Sequence, residues 1–401
     1  MRHSLSITVG KHGGQINGSD DRVIQAGVDY LAALGGGTLR ILPGEYRLNN
    51  AIYLKSGMQL EGSGCETVLT KNPSVCTPLA VDSDWYDADV TLADGNGFEV
   101  GYAVCLRAKA PNHGGSNVIK RTIVAKEGNH LWLNRPLEKN FWADHEARIS
   151  TLFPILSGEQ IRDVEIRNLV LDGNRSNNEH LDGNYAGCIF MQDCERVRID
   201  NVEARNYNGD GISWQICHDV TVTNCRSLHN ADLGLHPGSG SQRPVMRDNH
   251  LEENRLGLFF CWGVKHGIAE NNRILNNREF GISIGHRDTD NTIRSNRIEG
   301  SGKVGILFRN EPNEGRCPHR NLVENNRIVN SGLEGRGIGI DIQGETRLTT
   351  ILRNQIVETR EPAEYIGVQI GQKTADVVLE ENDFSGLAVP VKDLRLSSRS
   401  D

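Results

Sequence analysis

The chain has 401 residues, of which 37% are hydrophobic and 5% aromatic, with 44 glycines and a formal net charge of −8. The acidic balance argues against nucleic acid as a partner, and no apolar stretch is long enough to cross a membrane. Few aromatic residues and many glycines favour short strands and tight turns over long helices.

The first 48 residues predict a capping element. The opening MRHSLSITVGKHGG lacks the apolar run of a signal peptide. An N-cap at Ser19 or Asp20 precedes a helix with Ile24, Val28 and Leu31 on one face, and GGG at 35–37 ends it. We expect this helix to cover the open end of a stacked fold.

The nine cysteines show neither disulfide nor zinc spacing. This pattern predicts reduced, mostly buried thiols. Together with the missing signal peptide, it predicts a cytoplasmic protein.

Residues 73–155 interrupt the repeat described next. They contain strand-like stretches such as RTIVAKEGNHLWLNRPL but none of the repeat markers. We predict three parts: a cap with the first coils (1–72), a β-rich insertion beside them (73–155), and the remaining coils (156–401). The insertion would wall one end of a cleft.

A repeat of 23–24 residues governs the second half, with two longer intervals of 34 and 28. Its first marker is a glycine before a short apolar strand: Gly187, Gly211, Gly234, Gly257, Gly281, Gly305, Gly339 and Gly367. Its second is an asparagine before another strand: Asn201, Asn224, Asn249, Asn272, Asn296, Asn326, Asn354 and Asn382. This period predicts an all-β fold, a right-handed parallel β-helix with coils ~4.8 Å apart and a ladder of asparagines at one turn.

Two stretches carry a family resemblance. The helix followed by GGGT, a strand and PGEY resembles the start of pectate-lyase-like β-helix proteins. The stretch LVLDGNRSNNEHLDG at 169–183 is similar to a segment of alginate (mannuronan) C-5 epimerases. The resemblance implies a parallel β-helix and carbohydrate chemistry on a poly- or oligosaccharide.

The resemblance does not extend to the epimerase catalytic motif. That motif is a YGFDPHE-like coil with a further Asp one coil on, and here the coil reads NGDGISWQ. Asp210 stands at the Tyr position, Ser213 at the Asp, Gln215 at the His, and Gly238 at the last Asp. No epimerase catalytic residue is therefore carried over.

Strand alternation places two columns of side chains on the outside of successive coils. The first column is Phe190, Ser213, His236, Phe259, Ser283, Leu307 and Asp341. The second is Gln192, Gln215, Gly238, Cys261, Gly285, Arg309 and Gln343. We expect an exposed groove here, in which Gly238 and Gly285 leave room for a sugar ring.

Chemistry-bearing residues concentrate along these columns and just beyond them. The candidate catalytic residues are His236, His286, Asp288, Arg309 and Glu311. The candidate substrate-binding residues are Asp210, Gln215, Trp262, Arg287, Asp341 and Glu345. For each one, solvated surface or turn bonding is the competing interpretation, and clustering on neighbouring coils favours function.

Two enzyme mechanisms fit these residues. A lyase or epimerase acting on a uronic acid needs a base, here His236 or His286, and cations such as Arg309 and Arg287 to hold the carboxylate. A glycoside hydrolase needs two carboxylates, and adjacent coils place such pairs ~5 Å apart. We favour uronate chemistry because the strip is cationic.

Other interpretations stay open at this point. A non-catalytic glycan-binding protein is a third class, and Phe259 with Trp262 would alternatively form a contact between copies of the chain. No cofactor is expected. His286, Asp288 and Asp290 are chemically suited to a divalent metal, but their spacing matches no recognised site.

Overall fold

The structure, a computed structural model, describes residues 5–110, 114–332, 336–360 and 364–395. Within these ranges the chain winds into stacked coils whose short strands pair in parallel from one coil to the next. The predicted parallel β-helix is confirmed.

One face of the coil stack is a parallel sheet, which we call the site sheet. Its strands in the described ranges are Ile52–Tyr53, Leu156–Glu159, Ile189–Gln192, Ile212–Gln215, Leu233–Pro237, Leu256–Phe259, Phe280–Ile284, Val304–Phe308, Arg336–Ile342, Glu364–Ile370 and Val389–Asp393. Inward isoleucines such as Ile282, Ile306 and Ile340 lie in register and are fully buried. Each such burial stabilises the fold by about 1.5–3 kcal/mol.

The remaining faces form a larger parallel sheet. Its strands are Ser6–Gly10, Ile16–Asn17, Gly37–Ile41, Gly44–Leu48, Met58–Glu61, Thr67–Lys71, Arg162–Asp172, Glu195–Arg205, Thr221–Thr223, Arg226–Leu228, Val245–Arg247, His250–Glu252, Ile268–Glu270, Arg273–Leu275, Thr292–Arg294, Arg297–Glu299, Leu322–Glu324, Arg327–Val329, Arg347–Leu352, Gln355–Val357, Ala375–Glu380 and Asp383–Ser385. Short 3₁₀ turns lie at Gly64–Glu66, Ala143–His145, Arg175–Asn177 and Glu314–Arg316.

The predicted capping helix spans Asp21–Ala33. The Asp20 side chain accepts the N–H of Arg22 and so caps its first turn. Its apolar face of Ile24, Val28 and Leu31 is fully buried against the first strands. No helix within the described ranges is long and apolar enough to span a membrane.

The insertion folds as an antiparallel sheet with its own apolar cluster. Its strands are Cys76–Pro78, Asp89–Thr91, Ala103–Lys109, Ser116–Glu127, His130–Leu133 and Arg148–Ser150. The insertion is tied to the coils just before the first site-sheet strand. There, the N–H of Ala103 donates to the Asn49 carbonyl at 2.9 Å, and Asn50 Nδ2 donates to the Gly101 carbonyl at 2.8 Å.

The asparagine ladder is present, but its predicted membership needs correction. The ladder runs through Asn249, Asn272, Asn296, Asn326, Asn354 and Asn382, and each side chain from Asn272 onwards accepts the backbone N–H of the asparagine one coil earlier. Asn201 and Asn224 lie one residue before this column, which Cys225 occupies. Two further ladders, Asn230–Asn254–Asn277 and Asn291–Asn321, were not predicted. All nine cysteines are free, and seven are buried.

Candidate active site

The two outward columns lie in register along the site sheet, as predicted. Ser213 pairs with Phe190 on one side and His236 on the other, and Ser283 pairs with Phe259 and Leu307. The expected exposure is wrong for most of the first column, since Ser213 is 0% exposed and His236 is 3% exposed. Side chains on coils ~4.8 Å apart cover one another, so the column forms a floor.

The space above the two outward glycines is filled by protein. A Cβ on Gly238 would lie 2.1 Å from Oε1 of Gln215, and a Cβ on Gly285 would lie 2.3 Å from Nε of Arg309. These glycines therefore admit neighbouring side chains, and the prediction that they leave room for a sugar ring is wrong.

A buried pair of Asp210 and His236 lies in the middle of the floor. Nδ1 of His236 donates to Oδ2 of Asp210 at 2.7 Å, and Oδ1 accepts the N–H of Leu233 at 3.0 Å. The Ser213 hydroxyl lies 3.3 Å from the same His236 nitrogen and donates to the Gly183 carbonyl at 2.7 Å. Because serine and aspartate share Nδ1, the three residues do not form a nucleophilic triad.

The pair keeps a positive charge on His236. Burial by itself lowers the pKa of His236, but the charge and hydrogen bond of Asp210 outweigh it and raise the pKa to about 10. Nε2 is buried and has no hydrogen-bond partner among the described residues. A buried imidazole that holds its proton this tightly is poorly suited to be the predicted base.

A second buried carboxylate, Asp288, holds Arg309. Oδ1 accepts the N–H groups of Gly263 and Val264, both at 2.9 Å. Oδ2 accepts the N–H of Gly285 at 2.9 Å and Nη2 of Arg309 at 3.2 Å. Both oxygens are thereby occupied by protein donors.

The surroundings of Asp288 correct its predicted catalytic role. The residue is fully buried, and this burial raises its pKa to about 6 against the opposing charge of Arg309. Both oxygens already accept from protein donors, so what the structure shows for Asp288 is that it holds Arg309.

Arg309 connects the two buried pairs through Phe259. Its guanidinium donates to Ser283 Oγ and to the Phe260 carbonyl, both at 3.0 Å, and lies 4.4 Å from the Phe259 ring centroid. The His236 ring meets the same phenyl group edge to face at 5.6 Å. Two cations therefore contact one aromatic ring on the floor.

The more accessible part of the site contains His286, Glu311 and Trp262. His286 Nδ1 lies 3.4 Å from Oε2 of Glu311, and both side chains are 12% exposed. Trp262 occupies the equivalent position one coil earlier, is 58% exposed, and stacks on the His286 ring at 4.8 Å. An exposed indole beside a histidine is a surface on which a sugar ring can stack.

Glu311 joins this accessible cluster to the floor. Oε1 accepts the backbone N–H of His286 at 2.8 Å and lies 3.5 Å from Nε of Arg309. One carboxylate therefore orients a histidine and an arginine together.

Of the remaining candidates, Gln215 contacts the buried cluster and the others lie outside it. Gln215 is buried against Ser213, with Nε2 3.4 Å from its Oγ. Arg287 is exposed and makes no side-chain ion pair or hydrogen bond within the described ranges. Asp341 lies one coil beyond Leu307 and accepts from Gln343 at 2.6 Å and Gln369 at 3.1 Å. Glu345 pairs with Lys373 at 3.4 Å.

The contacts of His286, Asp288 and Asp290 do not support a shared metal site. Asp288 is held by Arg309, and Asp290 pairs with Arg320 at 2.7 Å. His286 is held by Glu311. Across the described part of the chain, no group of three or more His, Cys, Asp or Glu side chains could hold a metal ion.

Sequence reasoning missed a cationic pocket between the insertion and the early coils. Lys120 lies over the Phe190 ring, 4.1 Å from its centroid. The sequence feature that could have indicated this pocket is the basic stretch VIKR at 118–121. Sequence alone does not dock it against the coil that carries Phe190, because the insertion has no register with the repeat.

Comparisons with known proteins agree with this architecture. Residues 187–356 match the family model described as "Right handed beta helix region". Mannuronan C5-epimerase AlgE2 of Azotobacter vinelandii is 23% identical over 327 residues, which are 79% of this chain and 24% of that protein. The chain thus spans about a quarter of the length of this curated relative.

Two solved structures show the same fold. The A-module of Azotobacter vinelandii mannuronan C-5 epimerase AlgE6 superposes with a TM-score of 0.58 at 17% identity, covering 93% of this chain and 91% of the module. PfbA, a surface adhesin of Streptococcus pneumoniae, gives 0.56 at 14% identity, covering 92% and 87%. Together with the stacked parallel sheets, these matches show that the chain has the right-handed parallel β-helix fold.

Proposed function

We propose that the protein is a lyase or epimerase that abstracts a proton from a uronic acid in a poly- or oligosaccharide. The observation that carries this proposal is the bridge made by Glu311, which contacts both His286 and Arg309. A base and a cation held by one carboxylate are what removal of a proton next to a carboxylate group requires.

Each residue has a defined part in this chemistry. Arg309, fixed by Asp288, binds the substrate carboxylate and stabilises the negative charge that develops as the neighbouring carbon loses its proton. His286 accepts that proton through Nε2, while Glu311 orients the ring through Nδ1. Return of a proton to the opposite face gives an epimer, and loss of the oxygen substituent on the β-carbon gives an unsaturated sugar.

Residues of the floor and of the accessible cluster above it bind the substrate. Trp262 offers its exposed indole to a sugar face, and His236 adds a second positive charge below. The relatives that bear the name mannuronan C5-epimerase support a uronate-containing glycan as the substrate. Their catalytic motif is missing here, so the proposed base lies on different coils.

A glycoside hydrolase is the second candidate, and one observation favours it. Burial raises the pKa of Asp341, and the amides of Gln343 and Gln369 donate to its carboxylate. A raised pKa favours a carboxyl group as the general acid of such a reaction, with Glu311 as its partner carboxylate.

A deuterium experiment tests the proposal. The protein is incubated in D2O with a panel of uronate-containing and neutral glycans, and deuterium at the carbon next to the carboxylate is followed by NMR. A lyase or epimerase introduces deuterium or forms unsaturated products. New reducing ends without deuterium incorporation or unsaturated products would identify a hydrolase. Binding without turnover would identify a non-catalytic glycan-binding protein.

The matched variants are His286→Ala and His266→Ala. Loss of a general base lowers turnover by about 10²–10⁴-fold, whereas exposed His266 lies outside the site and its loss should have no effect. Full activity in His286→Ala would refute the assigned base.

A further inference from the structure

A pocket of about 470 Å³ lies between the insertion and the first coils of the site sheet. Its floor includes Tyr53, Ser157 and Phe190, which pair in register and continue directly into Ser213 and His236. The pocket is therefore the end of the same column that carries the candidate active site. Phe190 lies two coils, or ~10 Å, from His236.

Lys120, on the insertion strand Ser116–Glu127, forms the wall above Phe190. Its ammonium group lies 4.1 Å from the Phe190 ring centroid and donates to the Tyr185 carbonyl. No carboxylate within the described ranges lies at ion-pair distance from it. Burial lowers the pKa of Lys120 to about 8, opposed by nearby Cys105 and Glu159. The charge of Lys120 is thus only weakly compensated by the protein.

The rim of the pocket adds further positive charge. Arg135 and Lys55 line it, are exposed, and make no ion pair among the described residues. Arg121 is engaged instead, since it donates to the carbonyls of Arg135 and Pro136 and pairs with Glu138 at 3.2 Å. Cations outnumber carboxylates in the lining by four to two.

The insertion packs beside the first strands of the site sheet. The first site-sheet strand is Ile52–Tyr53, and the insertion is bonded immediately before it through Asn49 and Asn50. A glycan lying along the sheet would meet the insertion here and could not continue in this direction. The pocket is consequently suited to a chain end.

We propose that this pocket binds the terminal, carboxylate-bearing sugar of an oligouronate, with Lys120 and Arg135 contacting the carboxylate. The inference rests on the proposed function and deepens it, because it makes the protein act at a set distance from a chain end. Tyr53 and Tyr185 line the same pocket and offer faces for the sugar ring. Phe259 lies three coils, or ~14 Å, from Phe190, so the reacting sugar would be an internal one near that end.

Calorimetric titration of the full chain with oligouronates of increasing length tests this. Lys120→Met, which replaces the half-buried charge by an apolar chain of similar size, and Arg135→Ala should each weaken binding at least about tenfold. Lys120→Arg should retain binding. The control Lys265→Met removes an exposed lysine outside the pocket and should leave affinity unchanged. A neutral oligosaccharide of equal length should bind no more weakly to the variants than to the wild type.

The outcomes separate this inference from the proposed function. If Lys120→Met and Arg135→Ala bind with wild-type affinity and keep their turnover, the proposed role of the pocket is refuted. The enzyme proposal is unaffected by that result. Lys120-dependent binding without any turnover would overturn the enzyme proposal and support the pocket. His286→Ala should lower turnover by about 10²–10⁴-fold and keep its affinity within about twofold. Reaction that proceeds stepwise from one chain end would support end recognition.

Discussion

Nδ1 of His236 donates to Oδ2 of Asp210 at 2.7 Å, and both side chains are almost completely buried. The two residues lie on adjacent coils, 26 positions apart in the sequence. Water does not reach this buried position, so each charge is stabilised mainly by the other. A buried pair of this kind destabilises the fold when one partner is removed, because the other charge is left alone.

We expect Asp210→Ala to lower the free energy of unfolding by about 3–5 kcal/mol. The control is Asp219→Asn, which removes the charge of an exposed pair with Arg243, suits the left-handed backbone at this position and should cost at most about 1 kcal/mol. Urea unfolding followed by circular dichroism measures both. Equal losses in the two variants would contradict the assigned burial of the pair.

The same pair predicts a pH dependence of stability. The pKa of His236 is raised from 6.5 to about 10, so the folded state holds this proton more tightly than the unfolded state. The stabilisation is fully present below pH 6.5 and is lost as the pH rises towards 10. Thermal melts of wild type and His236→Gln should therefore differ most at pH 6 and converge towards pH 10. A difference that grows over this range would refute the raised pKa.

Asp288 should matter for catalysis through Arg309. Asp288→Asn removes the charge facing Nη2 of Arg309 and keeps the side-chain size. We expect turnover to fall by about 10²-fold, since small displacements of a positioning group have effects of this order. Asp290→Asn, two residues away in an exposed pair with Arg320, is the matched control and should retain activity.

Trp262 should contribute to binding and little to stability. Its indole is 58% exposed, so Trp262→Ala should change the free energy of unfolding by only about 0.5 kcal/mol. Glycan affinity should fall by about tenfold, as expected for a lost stacking face. Trp85, similarly exposed on the insertion, provides the control variant Trp85→Ala. Fluorescence titration measures the glycan affinity of both variants. An equal loss of affinity in Trp262→Ala and Trp85→Ala would refute the role of Trp262 as a stacking face.

The asparagine ladder predicts a local loss of stability. Asn272 accepts the N–H of Asn249 at 3.0 Å and donates to the Met246 carbonyl at 2.9 Å, both in the buried interior. Asn272→Ala should cost about 1–3 kcal/mol because it leaves these backbone groups unpaired. Asn313→Ala, at an exposed position with extended backbone and no side-chain cap bond, should be neutral within about 0.5 kcal/mol. Chemical unfolding compares them.

Sequence reasoning reached the fold and part of the site. Glycine spacing predicted the register that pairs Ser213 with His236 and Ser283 with Leu307. It also brought His236, Arg309, His286 and Glu311 to one side of the stack. It did not predict that Gln215 and Arg309 fill the space over Gly238 and Gly285, nor that the ladder excludes Asn201 and Asn224.

The repeat could be predicted from the sequence because each coil contacts its neighbours in the same way, so a fixed interval along the chain becomes a fixed position in space. Only the tertiary structure decided which outward side chains are buried and which carboxylate holds which cation. It also decided where the insertion docks to form the Lys120 pocket. Those outcomes depend on contacts between segments with no common period, and nothing in the local sequence encodes the distance between them.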